Sequence, residues 1–399
     1  MTQRPLSKRV QHLSESQTIG MAKKSRELTA QGIDVINLSL GEPDFVTPEY
    51  IREAAKKAID DGYTFYTPIS GYPELRKAIS EKFKRENNLD YQPDQIVVST
   101  GAKQSIANVV LSMIDPGDEV IIPMPYWVSY IEIVKLAEGT VVPIKATIDA
   151  DFKVTADQLE KAITPKTKLI IFSSPCNPTG SVYSREELKE MARMLERHPH
   201  VYVLSDEIYE HINFIGGHAS IAEFESIKDR VIVVNGVSKG YAMTGWRIGY
   251  IGAPKWIADA CDKMQGQFTS APSCISQKAA EAAMKGDNTP TKEMRDAFLR
   301  RRDLVMGLMK DIPGIRLNQP QGAFYVFADI SQYFGKSDGT HHITNANDFC
   351  MYLLNVGHVS VVTGDAFGDP NCFRMSYAAS DDKLTEAVKR MKDALNKLH

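Results

Sequence analysis

Short apolar runs alternate with helical patterns along most of this chain. Several runs are apolar at successive positions, which is typical of strands covered on both faces of a sheet. Helical stripes accompany them, such as the one that begins at Pro73 and the one that opens with the capping box Ser184 to Glu187. The runs are IVVST (96–100), EVIIP (119–123), TVVPI (140–144), KLIIFSS (168–174), VYVLSD (201–206), RVIVVNGVS (230–238) and RIGYIGAP (247–254). The alternation predicts an α/β fold of three layers, with helices on both faces of a mostly parallel sheet.

The sequence pattern changes after about residue 290. A long charged helical pattern with three successive arginines precedes the strand-like runs FYVFADI (324–330), VSVVTG (359–364) and CFRMSYA (372–378), and a terminal helical pattern follows. A chain of 399 residues is also long for a single core. We expect a large domain over residues 51–290, a smaller α+β domain over 291–399, and an N-terminal segment, 1–50, that contributes to the small domain.

Charge and hydropathy argue against several classes of protein. The formal net charge is -3, so a nucleic-acid partner is not expected. No apolar run approaches the roughly 18 residues that a membrane-spanning helix needs, and the basic N-terminus is followed by polar residues instead of a signal-peptide core. We therefore expect no membrane contact and a cytoplasmic location.

Metal binding is not indicated either. The five cysteines are odd in number and widely spaced, with no zinc-ligand spacing, so we expect free thiols: Cys176, Cys261, Cys274, Cys350 and Cys372. His341 and His342 are adjacent in the polar loop 335–347, for which a solvated loop is the simpler interpretation. We expect no metal ion in the site.

Polar residues stand where several predicted strands end. Asn177 follows one run, Asp206 closes the next, and Lys239 follows a third; a Gly101-Ala102-Lys103 turn follows IVVST. Ligands of open α/β sheets bind beyond the carboxyl ends of strands, and a glycine turn at a helix start suits an anion. Singly, these residues could be a turn, a helix cap, a surface lysine and a loop glycine. Together with Arg247 they describe a cofactor site.

Eight motifs in order resemble the class I and II aminotransferases, enzymes of pyridoxal 5'-phosphate (PLP) fold type I. The resemblance runs from about Ser7 to Lys397 and is greatest to the bacterial subgroup of aspartate and aspartate/prephenate aminotransferases. The motifs are GEPDF (41–45), YTPISGYPELR (66–76), GAKQ (101–104), PYWVSY (125–130), SSPCNPTG (173–180), SDEIYEH (205–211), SKGYAMTGWRIGY (238–250) and FRMSYA (373–378).

The resemblance implies that Lys239 forms the covalent link to PLP. A lysine can attack a carbonyl only as a neutral amine, so burial and nearby cations should depress its pKa. Once released, the amine would serve as the general base that moves the substrate's α proton. Arg247 is implied to face the cofactor phosphate. Many relatives carry a phosphate-binding serine where this chain has Gly236, and Ser238 could substitute for it.

Other matched positions are implied to hold the rest of the cofactor. Asp206 would pair with the pyridine nitrogen, Tyr209 and Asn177 would donate to the phenolic oxygen, and Trp127 would stack on the ring. Gly101, Ala102 and Lys103 would bind the phosphate, and Tyr66 would reach the phosphate of a neighbouring subunit in a homodimer with shared sites.

For the substrate, the resemblance implies that Arg374 binds the α-carboxylate, with Gly41, Trp127 and Asn177 beside it. In CFRMSYA, alternation places Arg374 on the face opposite the apolar residues, so it can point at a cleft; an ion pair within the small domain is the alternative. Lys103 matches a lysine associated with the distal carboxylate of acidic substrates.

We therefore expect a ping-pong aminotransferase for aspartate, or another acidic amino acid, and 2-oxoglutarate. A residue near the N-terminus that helps to bind prephenate in some relatives is not clearly matched by Ser14 or Glu15. Prephenate or aromatic amino-acid transamination, or a β-lyase on the same scaffold, are the alternatives. A non-catalytic PLP-binding regulatory module is the alternative from another class. Such modules carry an added DNA-binding segment, and because the resemblance already begins near Ser7 we do not expect one here.

Overall fold

The computed structural model describes residues 6–15 and 17–399, so part of the predicted 1–50 segment lies outside the described residues. The helices are α1 (Lys8–His12), α2 (Gln17–Ala30), α3 (Glu49–Asp60), α4 (Pro73–Asn87), α5 (Ala102–Met113), α6 (Ser129–Leu136), α7 (Ala156–Ala162), α8 (Arg185–Glu196), α9 (Lys255–Phe268), α10 (Cys274–Lys285), α11 (Thr289–Met309), α12 (Ala346–Val356) and α13 (Asp381–Leu395). The strands are β1 (Ile36–Asn37), β2 (Ile96–Ser99), β3 (Glu119–Met124), β4 (Thr140–Lys145), β5 (Thr167–Ser173), β6 (Tyr202–Asp206), β7 (Val231–Gly236), β8 (Gly249–Gly252), β9 (Tyr325–Asp329), β10 (Val359–Ser360), β11 (Val362–Thr363) and β12 (Cys372–Ser376).

The seven predicted strands of the first part of the chain form one sheet, in the order β2-β8-β7-β6-β5-β3-β4. β8 is antiparallel to both of its neighbours, and the other paired strands are parallel. Successive residues of a strand enter different cores: Ile170 and Val233 pack on one face, while Leu169 and Ile232 pack on the other. Helices therefore cover both faces, and the predicted three-layer α/β arrangement is confirmed.

A second set of strands forms the smaller α+β part. β9, β12 and β11 make an antiparallel sheet, and β10 pairs in parallel with β1 from the N-terminal segment. Residues of α11, α12 and α13 share one apolar core with Met21 and Ile36. The N-terminal segment therefore packs with the C-terminal part, although the domain boundaries at residues 50 and 290 stay a prediction.

One predicted strand is wrong as a single element. VSVVTG divides at Val361 into β10, which pairs with β1, and β11, which pairs with β12. The run is buried along both strands, including the polar residues Ser360 and Thr363, because it takes part in two adjoining sheets. Hydropathy alone cannot show where the first strand ends and the second begins.

Local signals at helix starts are confirmed. Pro73 is the first residue of α4. At the start of α8, the Ser184 hydroxyl accepts a hydrogen bond from the Glu187 backbone N–H, and the Glu187 carboxylate accepts one from the Ser184 backbone N–H. The five cysteines are free thiols, as expected. None of the helices described is long and apolar enough to cross a membrane, and the compartment stays a prediction.

The parallel strands bring the chemistry to one edge. Ser173 at the end of β5 is in register with Asp206 at the end of β6, and Asp206 is in register with Val234 of β7. Lys239 and Asn177 follow β7 and β5 directly, so both reach the same edge of the sheet.

Candidate active site

A cavity of about 280 Å³ lies at this edge, between the large sheet and the small-domain strands. Most of the residues predicted for the site line it: Gly41, Ala102, Lys103, Trp127, Asn177, Asp206, Tyr209, Ser238, Lys239, Arg247 and Arg374. The structure therefore gathers into one cavity residues that are more than 300 positions apart in sequence.

Lys239 enters the cavity from the loop after β7. Its Nζ donates a hydrogen bond to the backbone oxygen of Gly41 at 2.5 Å. Burial by the surrounding walls lowers the pKa of Lys239 to about 8; Glu42 opposes this shift, while Arg374 and Arg247 add to it. A substantial fraction of the amine is therefore neutral near physiological pH, as a nucleophile or a general base requires.

Asp206 is the buried last residue of β6. Its Oδ2 accepts a hydrogen bond from the Tyr130 hydroxyl at 2.6 Å, and its Oδ1 accepts one from the Ile208 backbone at 3.3 Å. Burial raises the pKa of Asp206 to about 6, and the hydrogen bond from Tyr130 opposes that rise. A cationic group beside this carboxyl would favour its ionised form and lower its pKa.

Arg374 projects into the cavity from β12. Its two neighbours Phe373 and Met375 pack in the small-domain core, so the predicted alternation is confirmed. Nη1 donates to Asn177 Oδ1 at 2.9 Å and Nη2 donates to the Ser39 oxygen at 2.7 Å. The buried Nε has no hydrogen-bond partner within the described residues. The guanidinium is thus anchored by neutral oxygens, which leaves its charge available to a carboxylate.

The end of the cavity near α5 suits an anion. Gly101 has a φ of 84° and precedes the first residue of α5, whose free backbone N–H groups give this helix end a partial positive charge. A side chain at Gly101 would collide with the Arg247 guanidinium, so the glycine allows that close approach. Arg247 is held by a hydrogen bond from Nη1 to the Thr244 oxygen at 2.9 Å.

Lys103 places a second ammonium group in the cavity. Its Nζ lies 5.1 Å from the centre of the Trp127 ring, a cation–π contact. Burial lowers the pKa of Lys103, and Arg247 contributes to the same shift. Lys103 and Arg247 line the same cavity as Arg374, so the charge of these three side chains favours anionic ligands.

The sequence of this chain matches a known protein family over most of its length. The family model for "Aminotransferase class I and II" matches residues 33–391. This chain belongs to the class I and II aminotransferases.

Relatives match the aminotransferase along nearly its whole length. A bifunctional aspartate aminotransferase and glutamate/aspartate-prephenate aminotransferase of Petunia hybrida is 49% identical over 98% of this chain and 82% of its own. An aspartate/prephenate aminotransferase of Nitrosomonas europaea is 46% identical over 98% of this chain and 100% of its own. Among solved structures, the aspartate aminotransferase from Rhizobium meliloti has a TM-score of 0.95 at 44% identity, covering 99% of both chains. The predicted fold type is confirmed.

Two predicted positions of the aminotransferase stand apart from the cavity lining. Gly101 contributes by accommodating Arg247, as described above. Tyr66 is 100% exposed in the single chain, and its role at a neighbouring site stays a prediction.

A steric reason accounts for glycine, in place of the serine of many relatives, at position 236. A Cβ at Gly236 would lie 2.8 Å from the Ile248 oxygen and 2.9 Å from the Gly249 Cα.

Sequence reasoning missed several cavity residues. Tyr130 lies in the quoted motif PYWVSY, but its pairing with Asp206 spans 76 positions and has no sequence signal. The hydroxyls of Tyr325 and Tyr209 share a hydrogen bond with an oxygen–oxygen distance of 2.7 Å, although the two residues are 116 positions apart in sequence. Near the N-terminus, Thr18 and Ile19 line the cavity, whereas Ser14 donates its backbone N–H to Glu132 at 2.9 Å.

Proposed function

We propose that this aminotransferase uses PLP bound at Lys239 to move an amino group from aspartate, or another acidic amino acid, to 2-oxoglutarate in a ping-pong reaction. The observation that carries the proposal is the placement of Lys239 in one cavity with Asp206 and Arg374. When bound, PLP supplies an electron-withdrawing ring that stabilises a carbanion at the substrate's α carbon.

The residues present fit each part of the cofactor. The phosphate would lie at Gly101 and Ala102, with Lys103, Ser238 and Arg247 beside it, because this end presents backbone N–H groups and cations. Asp206 would hold the protonated pyridine nitrogen, and Tyr209 and Asn177 would donate to the phenolic oxygen. Trp127 would cover one face of the ring.

The side chains of the cavity divide the remaining work. Arg374 would bind the α-carboxylate of either substrate, and its anchors on Asn177 and Ser39 fix the direction in which it points. The Lys239 amine, once free, would take the proton from the α carbon of the substrate. It would then deliver that proton to the cofactor carbon that is bonded to the amino nitrogen. A pKa of about 8 suits this role because the amine can both accept and release a proton at neutral pH.

Acidic substrates are favoured by the charge of the cavity and by the relatives. Arg374 would serve the α-carboxylate, and Arg247 would be a second cation for the phosphate. The ammonium group of Lys103 could therefore also bind a distal carboxylate. The Petunia and Nitrosomonas relatives are both named for aspartate and for prephenate. Prephenate is therefore the second candidate acceptor.

We also propose a homodimer with shared sites. Phe65 and Tyr66 are 82% and 100% exposed in the single chain, and Val46 is 75% exposed. Phe65 and Tyr66 are neighbours in sequence, and aromatic side chains are enriched on surfaces that another protein chain covers. Tyr66 would then reach the phosphate end of the partner's cavity.

The test is a panel of amino donors with the purified protein. The protein should carry a visible cofactor band that changes on addition of aspartate, with oxaloacetate formed; glutamate with prephenate tests the second candidate.

Arg374→Ala should raise the KM of every donor by about 30-fold or more, since it leaves each α-carboxylate without its partner. Lys103→Ala should raise the KM for the donors aspartate and glutamate by about tenfold. The KM for alanine as a donor, which has no distal carboxylate, should stay unchanged. Response to aromatic donors alone, or equal loss for all donors in Lys103→Ala, would contradict the assignment.

A further inference from the structure

Tyr325 lines the cavity but has no part in the proposed binding of cofactor or substrate. It is the first residue of β9, it is 0% exposed, and its ring lines the cavity. Its hydroxyl lies 2.7 Å from the hydroxyl of Tyr209, which is its one hydrogen-bond partner among the described residues. The same hydroxyl fills the space that a side chain at position 41 would need, so Gly41 has no room for one.

The hydrogen bond between the two tyrosines has a defined direction once Tyr209 acts on a ligand. Each hydroxyl carries one proton and can also accept. If Tyr209 donates its proton to an oxygen in the cavity, the proton between the two tyrosines must belong to Tyr325. Accepting that bond makes Tyr209 a stronger donor, because hydrogen bonds in a chain polarise one another.

The Tyr325 ring also touches the substrate-binding arginine. The Arg374 Cζ lies 4.5 Å from the centre of the Tyr325 ring and 4.7 Å from the centre of the Phe367 ring. A cation over the ring face draws electron density from the phenol, which strengthens its hydroxyl as a donor. One side chain thus contacts the carboxylate clamp through its ring and Tyr209 through its oxygen.

We propose that Tyr325 is a positioning residue: its ring supports Arg374, and its hydroxyl directs the Tyr209 proton toward the phenolic oxygen of the cofactor. This inference rests on the proposed function. Tyr325 would act through Tyr209 and Arg374 and not directly on the reacting atoms. It acts by setting how well the phenolic oxygen holds a negative charge when the cofactor is bound.

The test is the pH titration of the visible band of the cofactor-loaded protein. Loss of the Tyr325 hydroxyl removes a donor that favours the anionic phenolic oxygen, so the band's midpoint in Tyr325→Phe should rise by about 0.5 to 1 pH unit. Tyr209→Phe should raise it at least as much. In the Tyr209→Phe background, adding Tyr325→Phe should change the midpoint by less than about 0.2 units, because the effect passes through Tyr209.

A matched control separates this role from a general loss of a buried hydroxyl. Tyr352 is buried in the small domain and donates to the Ala394 oxygen at 2.9 Å, so Tyr352→Phe should leave the midpoint unchanged. If Tyr325→Phe does not fold, 3-fluorotyrosine at position 325 gives a more acidic hydroxyl and should lower the midpoint.

Kinetics give a second readout. Tyr325→Phe keeps the ring beneath Arg374, so the KM for aspartate should stay within about twofold while kcat falls; Tyr325→Leu removes the ring and should raise KM. An unchanged midpoint in Tyr325→Phe, or an equal shift with and without Tyr209, would overturn the inference. A wild-type protein without any visible band would instead refute the proposed function, so the two failures are distinct.

Discussion

Two lysines with lowered pKa values share one cavity, and their surroundings differ. Lys239 follows β7 and bonds to the Gly41 oxygen, whereas Lys103 lies over the Trp127 ring on the first turn of α5. The pKa of about 8 leaves about a tenth of the Lys239 amines neutral at pH 7, against less than a thousandth for an ordinary lysine. The Asp206 carboxyl is one of the charges that partly oppose the lowering of the Lys239 pKa. We therefore propose that Lys239 supplies the reactive amine and that Lys103 supplies a positive charge for binding.

At the scale of elements, a buried polar network ties α4 to the loop after β6. The ammonium of Lys82 bonds to Glu210 and donates to Asn87 Oδ1 at 2.8 Å, and Asn87 Nδ2 donates to Glu210 Oε2 at 2.6 Å. Although burial alone would raise the pKa of Glu210, Lys82 holds it well below its ordinary value. Glu210 directly follows Tyr209, so the network fixes the loop that carries this proposed cofactor ligand.

Lys82→Met should therefore destabilise the fold strongly. The change leaves Glu210 buried without its counter-charge, so we expect the free energy of unfolding to fall by about 3 to 5 kcal/mol in denaturant titrations at pH 7. Adding Glu210→Gln should restore part of that loss. Lys84→Met, on the exposed face of the same helix, is the control and should cost under about 0.5 kcal/mol. A Lys82→Met variant as stable as the control would refute the role of the network.

The same network has a defined pH dependence. The folded-state pKa of Glu210 is lowered, so its stabilising effect is complete above its ordinary pKa of about 4.5 and is lost as pH falls toward the folded-state value. The stability difference between wild type and Lys82→Met should accordingly shrink in acid.

Elements specified by local sequence could be predicted, and those specified by distant partners could not. The strands of the large sheet and the start of α8 follow from apolar runs and a capping box, which act within a few residues. The break in VSVVTG depends on β1, more than 300 positions away. Likewise Asp206 and Lys239 were predictable from their places at strand ends, whereas Tyr325 has meaning only through its contact with Tyr209.

At the scale of the whole molecule, the site joins three parts of the chain. The N-terminal segment supplies Gly41, the edge of the large sheet supplies Asp206 and Lys239, and the small-domain sheet supplies Tyr325 and Arg374. Arg374, the proposed ligand of the α-carboxylate, and the proposed cofactor ligands Asp206 and Lys239 thus come from different sheets. A bound carboxylate at Arg374 would hold these parts together and exclude water from the α carbon.

Shared sites in a dimer predict complementation between two impaired variants. Lys239→Ala lacks the reactive amine in both sites, and Tyr66→Ala lacks the proposed phosphate contact in both. Subunit exchange would create mixed dimers with one intact site each, or about a quarter of all sites. Activity of the mixture should exceed the sum of the two variants. No gain, with exchange verified by native mass spectrometry, would mean that each chain completes its own site.

The most direct test is to find which residue carries the cofactor. The protein is incubated with PLP over a pH series, reduced with borohydride, digested, and the modified peptide identified by mass spectrometry. We expect one adduct in the cavity, on Lys239, whose yield rises with pH to a midpoint near the pKa of about 8. An adduct on Lys103 instead, or none in the cavity, would contradict the assignment of Lys239 and the mechanism built on it.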